Sequence, residues 1–222
     1  MSMTITLDER LQTAADLFPA CAYGADIGAD HGRLSCYLLE TGKAQRMCVA
    51  DISKDSLKKA EMLLAQRQLS HRADVFVGDG LLVLRQPAQS IAILGMGGHT
   101  IQKILMQGKD LLQGAALVLS AHTDVYLIRE TLMRLRYRID QEKIACAAGR
   151  YYVLLRAVPG ETDYTDQQLY LGPWLMTHKE KHYEEYLQRQ LQMTLPKRTE
   201  VGRQYLEWLK EEEARVRNGG TG

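Results

Sequence analysis

Short apolar runs alternate with helical stretches through most of this chain, and that alternation limits the available folds more than any other feature. Apolar runs bounded by turn residues predict strands at residues 22–27, 47–51, 73–77, 90–94 and 115–120. Apolar residues spaced by three and four predict helices at 33–40 and 53–68, around 101–105 and at 126–136. Repeated strand–helix alternation predicts a parallel sheet covered on both faces. We therefore expect a doubly wound α/β domain, closed by a pair of strands at 138–144 and 151–158.

The composition changes near Val158-Pro159-Gly160, where strand-like residues give way to a segment rich in Gln, Glu, Lys and Tyr. We place a domain boundary there, between residues 1–160 and 161–222. In the second part, apolar, aromatic and Gln residues fall at helical spacing on both sides of Pro196: Tyr183, Tyr186, Leu187, Gln190 and Leu191, then Val201, Tyr205, Trp208, Leu209 and Val216. The pattern predicts two helices that meet near Pro196 in an antiparallel coiled-coil hairpin. A packing or dimerisation role and a substrate-handling role are both open for this hairpin.

The overall composition excludes several classes of protein. Apolar residues make up 45% and charged residues 25% of the chain, as in a soluble protein with a proper core. The 28 Lys and Arg against 27 Asp and Glu exclude a histone-like polycation. The four cysteines form no C-x-x-C pair, which argues against a disulfide framework or a zinc knuckle. No apolar run approaches the ~18 residues of a membrane span, and the first residues lack the layout of a signal peptide. We therefore expect a cytoplasmic protein.

The strongest local signal is Asp26-Ile27-Gly28-Ala29-Asp30-His31-Gly32, at the end of the first predicted strand. Asp51, Gly78-Asp79-Gly80 and Gly95-Met96-Gly97-Gly98 end the second, third and fourth strands. Ligands of doubly wound sheets bind outside these carboxyl ends, where glycines allow close backbone approach. Carboxylates at three successive strand ends repel a pyrophosphate. S-adenosylmethionine offers them a cationic sulfonium, a ribose diol and an adenine amine, so the pattern favours it over a nicotinamide cofactor.

Together with Leu7-Asp8-Glu9-Arg10-Leu11 and Gly78-Asp79-Gly80-Leu81, these motifs resemble the bacterial TrmK family of methyltransferases. The similarity runs over about residues 5–175, and the tail resembles the family's coiled-coil domain in character. The resemblance implies a class I, Rossmann-like methyltransferase fold with a C-terminal helical hairpin. It implies transfer of a methyl group from S-adenosylmethionine to N1 of adenine 22 in tRNA. The expected partner is tRNA, and the expected state is a monomer or a weak homodimer through the hairpin, with no metal.

The motifs supply candidate site residues. The candidate cofactor site comprises Asp26, Gly28, His31, Asp51, Ile52, Asp79 and Gly80, with Asp51 accepting from the ribose diol and Asp79 from the adenine amine. The catalytic candidates are Asp30, Gly95, Met96 and Gly97. Asp30 would stabilise the positive charge that develops on the methylated base, while backbone carbonyls of 95–97 hold its N6 amine. Contact of Asp30 with the cofactor's amino group alone stays open. His31 could shuttle a proton or bond to the backbone.

Basic residues cluster late in the first part, where Arg129, Arg134, Arg136, Arg138 and Lys143 fall within fifteen positions and Arg150 follows. Such a cluster can track phosphates, so Arg129, Arg134 and Arg136 are candidate RNA-binding residues, although a solvated helix face explains it equally well. Arg10 is a further RNA-binding candidate from the family block. Tyr151-Tyr152 could stack on a base, but we expect these strand tyrosines to pack.

Two features leave alternatives. The segment Ser120-Ala121-His122 differs from the family's pattern. A methyltransferase acting on another RNA or on a small molecule is therefore open, as is a non-catalytic RNA-binding module on the same fold. His178 and His182 have the four-residue spacing of metal ligands. Because no third ligand lies nearby in the sequence, we interpret them as a solvated pair.

Overall fold

The computed structural model describes residues 4–178, 180–193 and 199–219. Its strands are β1 (Cys21–Ile27), β2 (Ala44–Asp51), β3 (Ala73–Val77), β4 (Ser90–Met96), β5 (Ala116–Ala121), β6 (Tyr137–Ala147) and β7 (Arg150–Pro159). They form one sheet in the order β3-β2-β1-β4-β5-β7-β6. The first five strands are parallel, and β7 is antiparallel to both of its neighbours. The predicted doubly wound sheet and its closing pair of strands are confirmed.

The helices are α1 (Glu9–Leu17), α2 (Arg33–Glu40), α3 (Lys54–Gln66), α4 (Gly98–Gln107), α5 (Lys109–Leu112), α6 (Val125–Arg134), α7 (Asp166–Leu171), α8 (Tyr183–Met193) and α9 (Glu200–Arg217). Short 3₁₀ turns cover Ser70–Arg72 and Gly80–Val83. Helix α1 lies outside the predicted elements. It begins at a clear capping signal, because the Asp8 carboxylate accepts a hydrogen bond from the Leu11 backbone N–H at 2.8 Å.

The central strands are buried on both faces, which explains why their sequences are continuous apolar runs. Neighbouring residues of β4 join different cores: Ile93 packs with helices α4 and α6 on one face, and Ala92 packs with α1, α2 and α3 on the other. The strand order reverses between β1 and β4, where Ile27 pairs with both Ala50 and Ile93. In sheets of this type such a reversal opens a crevice at the carboxyl ends of the strands.

The tail packs onto the outer strands through a third core cluster. Ile144 of β6 and Val153 of β7 meet Tyr183 and Leu187 of α8 and Leu209 of α9. The apolar face of the two tail helices is therefore used within the chain. The predicted turn at Pro196 lies outside the described residues. Within the described ranges, no helix is both long and apolar enough to cross a membrane.

Candidate functional site

The turn between β1 and α2 requires glycine at residue 28. Gly28 has φ +76°, in the left-handed region, and a Cβ there would lie 2.1 Å from the Met96 Cε atom. The N–H groups of Gly28 and Ala29 both donate to the carbonyl of Ala50, at 2.8 and 3.0 Å. The turn is thereby tied to the end of β2, with the Met96 side chain lying over it.

Asp26 is buried at the end of β1. Its side chain accepts a hydrogen bond from the Ser35 hydroxyl at 2.7 Å, and the residue is only 3% exposed. Burial raises the pKa of this carboxyl to about 6, and the nearby carboxylates of Asp51 and Asp30 push the pKa in the same direction. A cation bound in front of Asp26 would favour its ionised form.

Asp51, at the end of β2, organises the next part of the edge. One carboxylate oxygen accepts from the Asp30 backbone N–H at 3.0 Å, and the other accepts from the Ser53 N–H at 2.8 Å. The Asp30 side chain accepts from the Ser56 hydroxyl of α3 at 3.3 Å. The His31 Nε2 atom lies 3.6 Å from an Asp30 carboxylate oxygen, so these acidic groups form one connected wall.

The end of β3 extends this wall. The Gly78 N–H donates to the Asp51 carbonyl at 3.1 Å, which sets the following Asp79 beside the end of β2. The Asp79 side chain is 55% exposed and lies 3.8 Å from the Lys103 ammonium. Ile52 exposes 74% of its surface at the same edge, and Gly80 adopts φ +58°. An exposed carboxylate beside an exposed apolar side chain suits an adenine ring, which needs an acceptor for its amine and a nonpolar surface for its face.

A cavity of about 360 Å³ opens at the carboxyl edge between α1, the β1–α2 turn, the ends of β4 and β5, and the β6–β7 hairpin. It brings together six of the predicted site residues: Arg10, Asp26, Gly28, Asp30, His31 and Gly95. The structure adds His122 and Tyr152 to this set. Asp51, Ile52 and Asp79 lie outside the cavity, at the adjoining strand ends.

Three side chains lie around Gly95 in the cavity. The Arg10 guanidinium lies 5.5 Å from the centre of the Tyr152 ring, and the His122 ring meets Tyr152 edge-on at 5.8 Å. A Cβ at Gly95 would lie 3.4 Å from an Arg10 terminal nitrogen and 3.8 Å from His122 Nε2. The open space over Gly95 is therefore bordered by a cation, an imidazole and an aromatic ring.

His122 and Tyr152 were missed as site residues for different reasons. His122 directly follows β5, so the rule that parallel strands end at one edge could have found it. Tyr152 belongs to the antiparallel strand β7, where the sequence allows base stacking for Tyr151-Tyr152 but favours packing.

The block from Gly95 to Gly98 is glycine-rich for reasons of backbone packing. The Met96 carbonyl accepts from the His122 N–H at 2.9 Å, and the Gly97 carbonyl accepts from the N–H groups of Thr100 and Ile101 at 3.0 and 3.1 Å. A Cβ at Gly98 would lie 2.4 Å from the Asp124 carbonyl oxygen. Helix α4 thus begins in direct backbone contact with the β5–α6 loop.

The prediction that Arg129 contacts RNA is wrong. The residue is 1% exposed, its guanidinium donates to Glu142 at 2.8 Å, and it also donates to the carbonyls of Leu169 and Tyr170. Arg129 lies on the inner face of α6 and forms buried hydrogen bonds there. Its position in the sequence, close to other basic residues, does not reveal this burial.

Arg134 and Arg136 are exposed, but at the other end of the sheet. They line a shallow depression with Gly114, which precedes β5 at the amino-terminal edge. Arg134 pairs with Glu130 at 2.7 Å and Arg136 with Glu161 at 3.3 Å. The three RNA-binding candidates of this cluster are therefore divided between the core and a surface away from the cavity.

The two tail histidines have separate environments. His178 stacks on Trp174 with ring centres 3.5 Å apart, whereas His182 Nε2 lies 3.2 Å from a Glu9 carboxylate oxygen. The neighbouring Lys181 contacts the same oxygen at 3.0 Å and lowers the pKa of Glu9 through its hydrogen bond. Within the described ranges, no group of three or more His, Cys, Asp or Glu side chains is arranged to hold a metal ion.

Comparison with known proteins identifies relatives of this chain by sequence and by structure. A family model described as tRNA (adenine(22)-N(1))-methyltransferase matches residues 24–216. A Bacillus subtilis protein of that name is 34% identical over 198 residues, which span 86% of this chain and 83% of the relative. The crystal structure of the B. subtilis m1A22 tRNA methyltransferase TrmK aligns with a TM-score of 0.79 at 30% identity, over 96% of this chain and 98% of that one. A Streptococcus pneumoniae protein crystallised with S-adenosyl-L-methionine gives 0.87 at 23% identity, over 94% and 100% of the two chains, and shares the fold.

Proposed function

The chain belongs to the TrmK family of tRNA (adenine(22)-N(1))-methyltransferases, and we propose that it methylates N1 of adenine 22 of tRNA in the cavity at the carboxyl edge of its sheet. The observation that carries this placement is the cavity itself. It joins the acidic wall of Asp26 and Asp30 to the open space over Gly95, at the point where the strand order reverses.

S-adenosylmethionine supplies the electrophilic methyl group that the reaction transfers. The residues present fit this cofactor, because acidic side chains, an exposed apolar side chain and glycine turns follow one another along the edge. We propose that Asp51 accepts from the ribose diol and Asp79 from the adenine amine. Ile52 would cover the adenine face, and Gly80 would keep the turn beside it narrow.

Asp26 and the β1–α2 turn would hold the remaining part of the cofactor. The buried Asp26 carboxylate favours a cation in front of it, and Gly28 leaves room for close approach. His31 lies at the same wall, 3.1 Å from the Lys59 ammonium. We propose that it lines the cofactor side of the cavity.

The space over Gly95 would receive the target adenine. Because the carbonyls of Met96 and Gly97 already accept backbone hydrogen bonds, we propose the Gly95 carbonyl as the acceptor for the N6 amine. Alignment of N1 with the methyl group would supply much of the rate, since well-oriented reactants gain about 7–11 kcal/mol. The Met96 side chain lies against Gly28, and we propose that it borders the site from there.

We propose that the Asp30 carboxylate stabilises the positive charge that develops on the base. Asp30 lines the same cavity as Gly95, and 69% of its side chain is exposed, so the carboxylate can turn from Ser56 towards the target base. If Asp30→Asn kept normal turnover at saturating cofactor, this role would be excluded.

N1 lies on the Watson–Crick edge, so the target adenine must leave its stack to react. We propose that Arg10 holds a phosphate close to the flipped nucleotide, because its guanidinium borders the space over Gly95. Arg134 and Arg136 would meet only parts of the tRNA that reach the amino-terminal edge of the sheet.

We propose that the protein acts in the cytoplasm as a monomer, with at most a weak homodimer through the hairpin. The apolar face of α8 and α9 is occupied by β6 and β7. On the described part of the tail, Met193 and Val201 are the large apolar side chains that stay exposed, at 63% and 56%. Sedimentation at micromolar concentration tests this state.

The test of function uses labelled S-adenosylmethionine and bulk tRNA that lacks modifications. We expect incorporation into tRNA, recovery of N1-methyladenosine by mass spectrometry, and loss of incorporation when adenine 22 is replaced by guanine. Asp110→Asn is the matched control for Asp30→Asn, because Asp110 is exposed at the amino-terminal side of the sheet. Incorporation at another position, or none despite cofactor binding, would contradict the proposal.

A further inference from the structure

A second opening lies on the tail side of the sheet. It has a volume of about 220 Å³, and five half-buried tyrosines line it: Tyr126, Tyr151, Tyr170, Tyr186 and Tyr205. We call this opening the tyrosine groove. Its rings come from five elements, α6, β7, α7, α8 and α9, so it forms only where the sheet and the tail meet.

Three of the five rings, those of Tyr126, Tyr170 and Tyr205, are held by ring contacts. Tyr126 and Tyr170 stack in parallel with centres 4.7 Å apart and an interplanar angle of 5°. Tyr170 also contacts Tyr205 at 5.2 Å and Trp208 at 5.8 Å. Such contacts fix the orientation of the rings before any ligand arrives, which reduces the entropy lost on binding.

The tyrosine groove continues from the cavity over Gly95. His122 lines both spaces, at the edge of the sheet where β5 ends. The adjacent residues of β7 divide between them, with Tyr152 in the cavity and Tyr151 in the groove. A strand places successive side chains on opposite faces, so the two openings lie on either side of one edge and meet at His122.

We infer that the tyrosine groove binds a nucleotide next to the target adenine by stacking its base on a tyrosine ring that lines the groove. The inference rests on the proposed function, because it places the target adenine over Gly95. An adenine that leaves its stack deprives its neighbour of a stacking partner, and an aromatic ring replaces that partner for any base. Continuity through His122 puts the groove within reach of that neighbour.

The matched variants are Tyr126→Leu and Tyr126→Phe in the full-length protein, with Tyr151→Leu as an independent change on another wall. Leucine keeps apolar volume but cannot stack, and phenylalanine keeps the ring. Tyr37→Leu is the control, since Tyr37 is half-buried on α2 and its hydroxyl contacts Gln12. Thermal unfolding establishes that each variant is folded.

We expect each groove leucine variant to raise both the Kd and the KM for tRNA by about 5- to 150-fold, the range for one lost base stack. The KM for S-adenosylmethionine should stay unchanged, and the phenylalanine variant should behave as wild type. A tRNA carrying 4-thiouridine beside adenine 22 should photocross-link to a groove residue. Cross-links confined to other surfaces, or unchanged tRNA affinity in both folded leucine variants, would overturn the inference.

The same measurements separate the two proposals. If the wild type methylates adenine 22 and the leucine variants bind tRNA as tightly as it does, the inference about the tyrosine groove is wrong and the proposed function stands. If tRNA cross-links to the groove but no methyl group is transferred, the proposed activity is wrong and the groove stands as an RNA-binding site. Absence of tRNA binding by the wild type removes both.

Discussion

The Arg129 guanidinium donates to the Glu142 carboxylate at 2.8 Å with both side chains at most 1% exposed. The pair joins α6 to β6 and also fixes the start of the tail. Arg129 donates to the Leu169 and Tyr170 carbonyls, and the second Glu142 oxygen accepts from the Trp174 N–H at 3.1 Å. The buried ion pair is thus a connection between the sheet and the segment after β7.

Arg129→Met should destabilise the fold by about 3–5 kcal/mol, because it leaves the Glu142 carboxylate buried and unpaired. Urea unfolding gives the change in the free energy of unfolding. The control is Arg134→Ala, which breaks an exposed pair on the same helix and should cost less than about 0.5 kcal/mol. Similar costs for the two variants would mean that the buried pair does not hold the tail.

Gly98→Ala should reduce stability by about 1–3 kcal/mol, since the new Cβ would lie 2.4 Å from backbone that cannot move alone. Gly97→Ala is the neighbouring control. Its Cβ would meet only the Thr123 hydroxyl at 3.4 Å, at φ −72°, so it should cost below about 1 kcal/mol. Thermal unfolding of both variants compares them, and an equal loss would contradict the proposed steric cause.

Cofactor affinity should depend on the ionisation of Asp26. Its pKa is raised from 3.8 to about 6, so the folded protein holds this proton more tightly than the unfolded chain. Asp26 therefore lowers the free energy of unfolding as pH rises from about 4 to 6. A cation bound beside it is held more tightly once the carboxyl is ionised. Calorimetry should give S-adenosylmethionine binding about tenfold weaker at pH 5 than at pH 7. The dependence should vanish in Asp26→Asn, and its persistence there would assign the effect to another group.

Asp79→Asn should weaken S-adenosylmethionine binding by at least about tenfold, because a charged acceptor contributes about 1.5–3 kcal/mol to a hydrogen bond. The turnover number at saturating cofactor should change little, since Asp79 lies at the β3 end and away from Gly95. Binding calorimetry and steady-state kinetics separate these two effects. Unchanged affinity, with Asp110→Asn as reference, would remove Asp79 from the cofactor site.

Salt dependence should locate the phosphate contacts. Arg10 lines the cavity, and Arg150 lies beside the cavity-lining Ala147 and Ala148. Changing either arginine to alanine should lower the slope of log affinity for tRNA against log salt concentration by about 1. The double change of Arg134 and Arg136 to alanine should lower it less, because those residues lie at the opposite edge. The reverse order would place the tRNA on the amino-terminal edge.

The sequence by itself determined the strands, their order of succession and the residues at their carboxyl ends. Apolar runs and glycine turns are local signals, and parallel strands bring their ends to one edge wherever they lie in the chain. Asp26, Asp51 and Asp79 could therefore be assigned to one edge before any contact was known. Even the β2–α3 boundary followed from a local signal, since Ser53 caps α3.

Only the tertiary structure decided which side chains meet. It buried Arg129 against Glu142 and left Arg134 exposed, although the sequence places both arginines in one basic cluster. It brought Arg10 and Tyr152 together from positions more than a hundred residues apart. It also turned Tyr151 towards the tail. These contacts depend on how distant elements pack, and the spacing of residues along the chain carries little information about that packing.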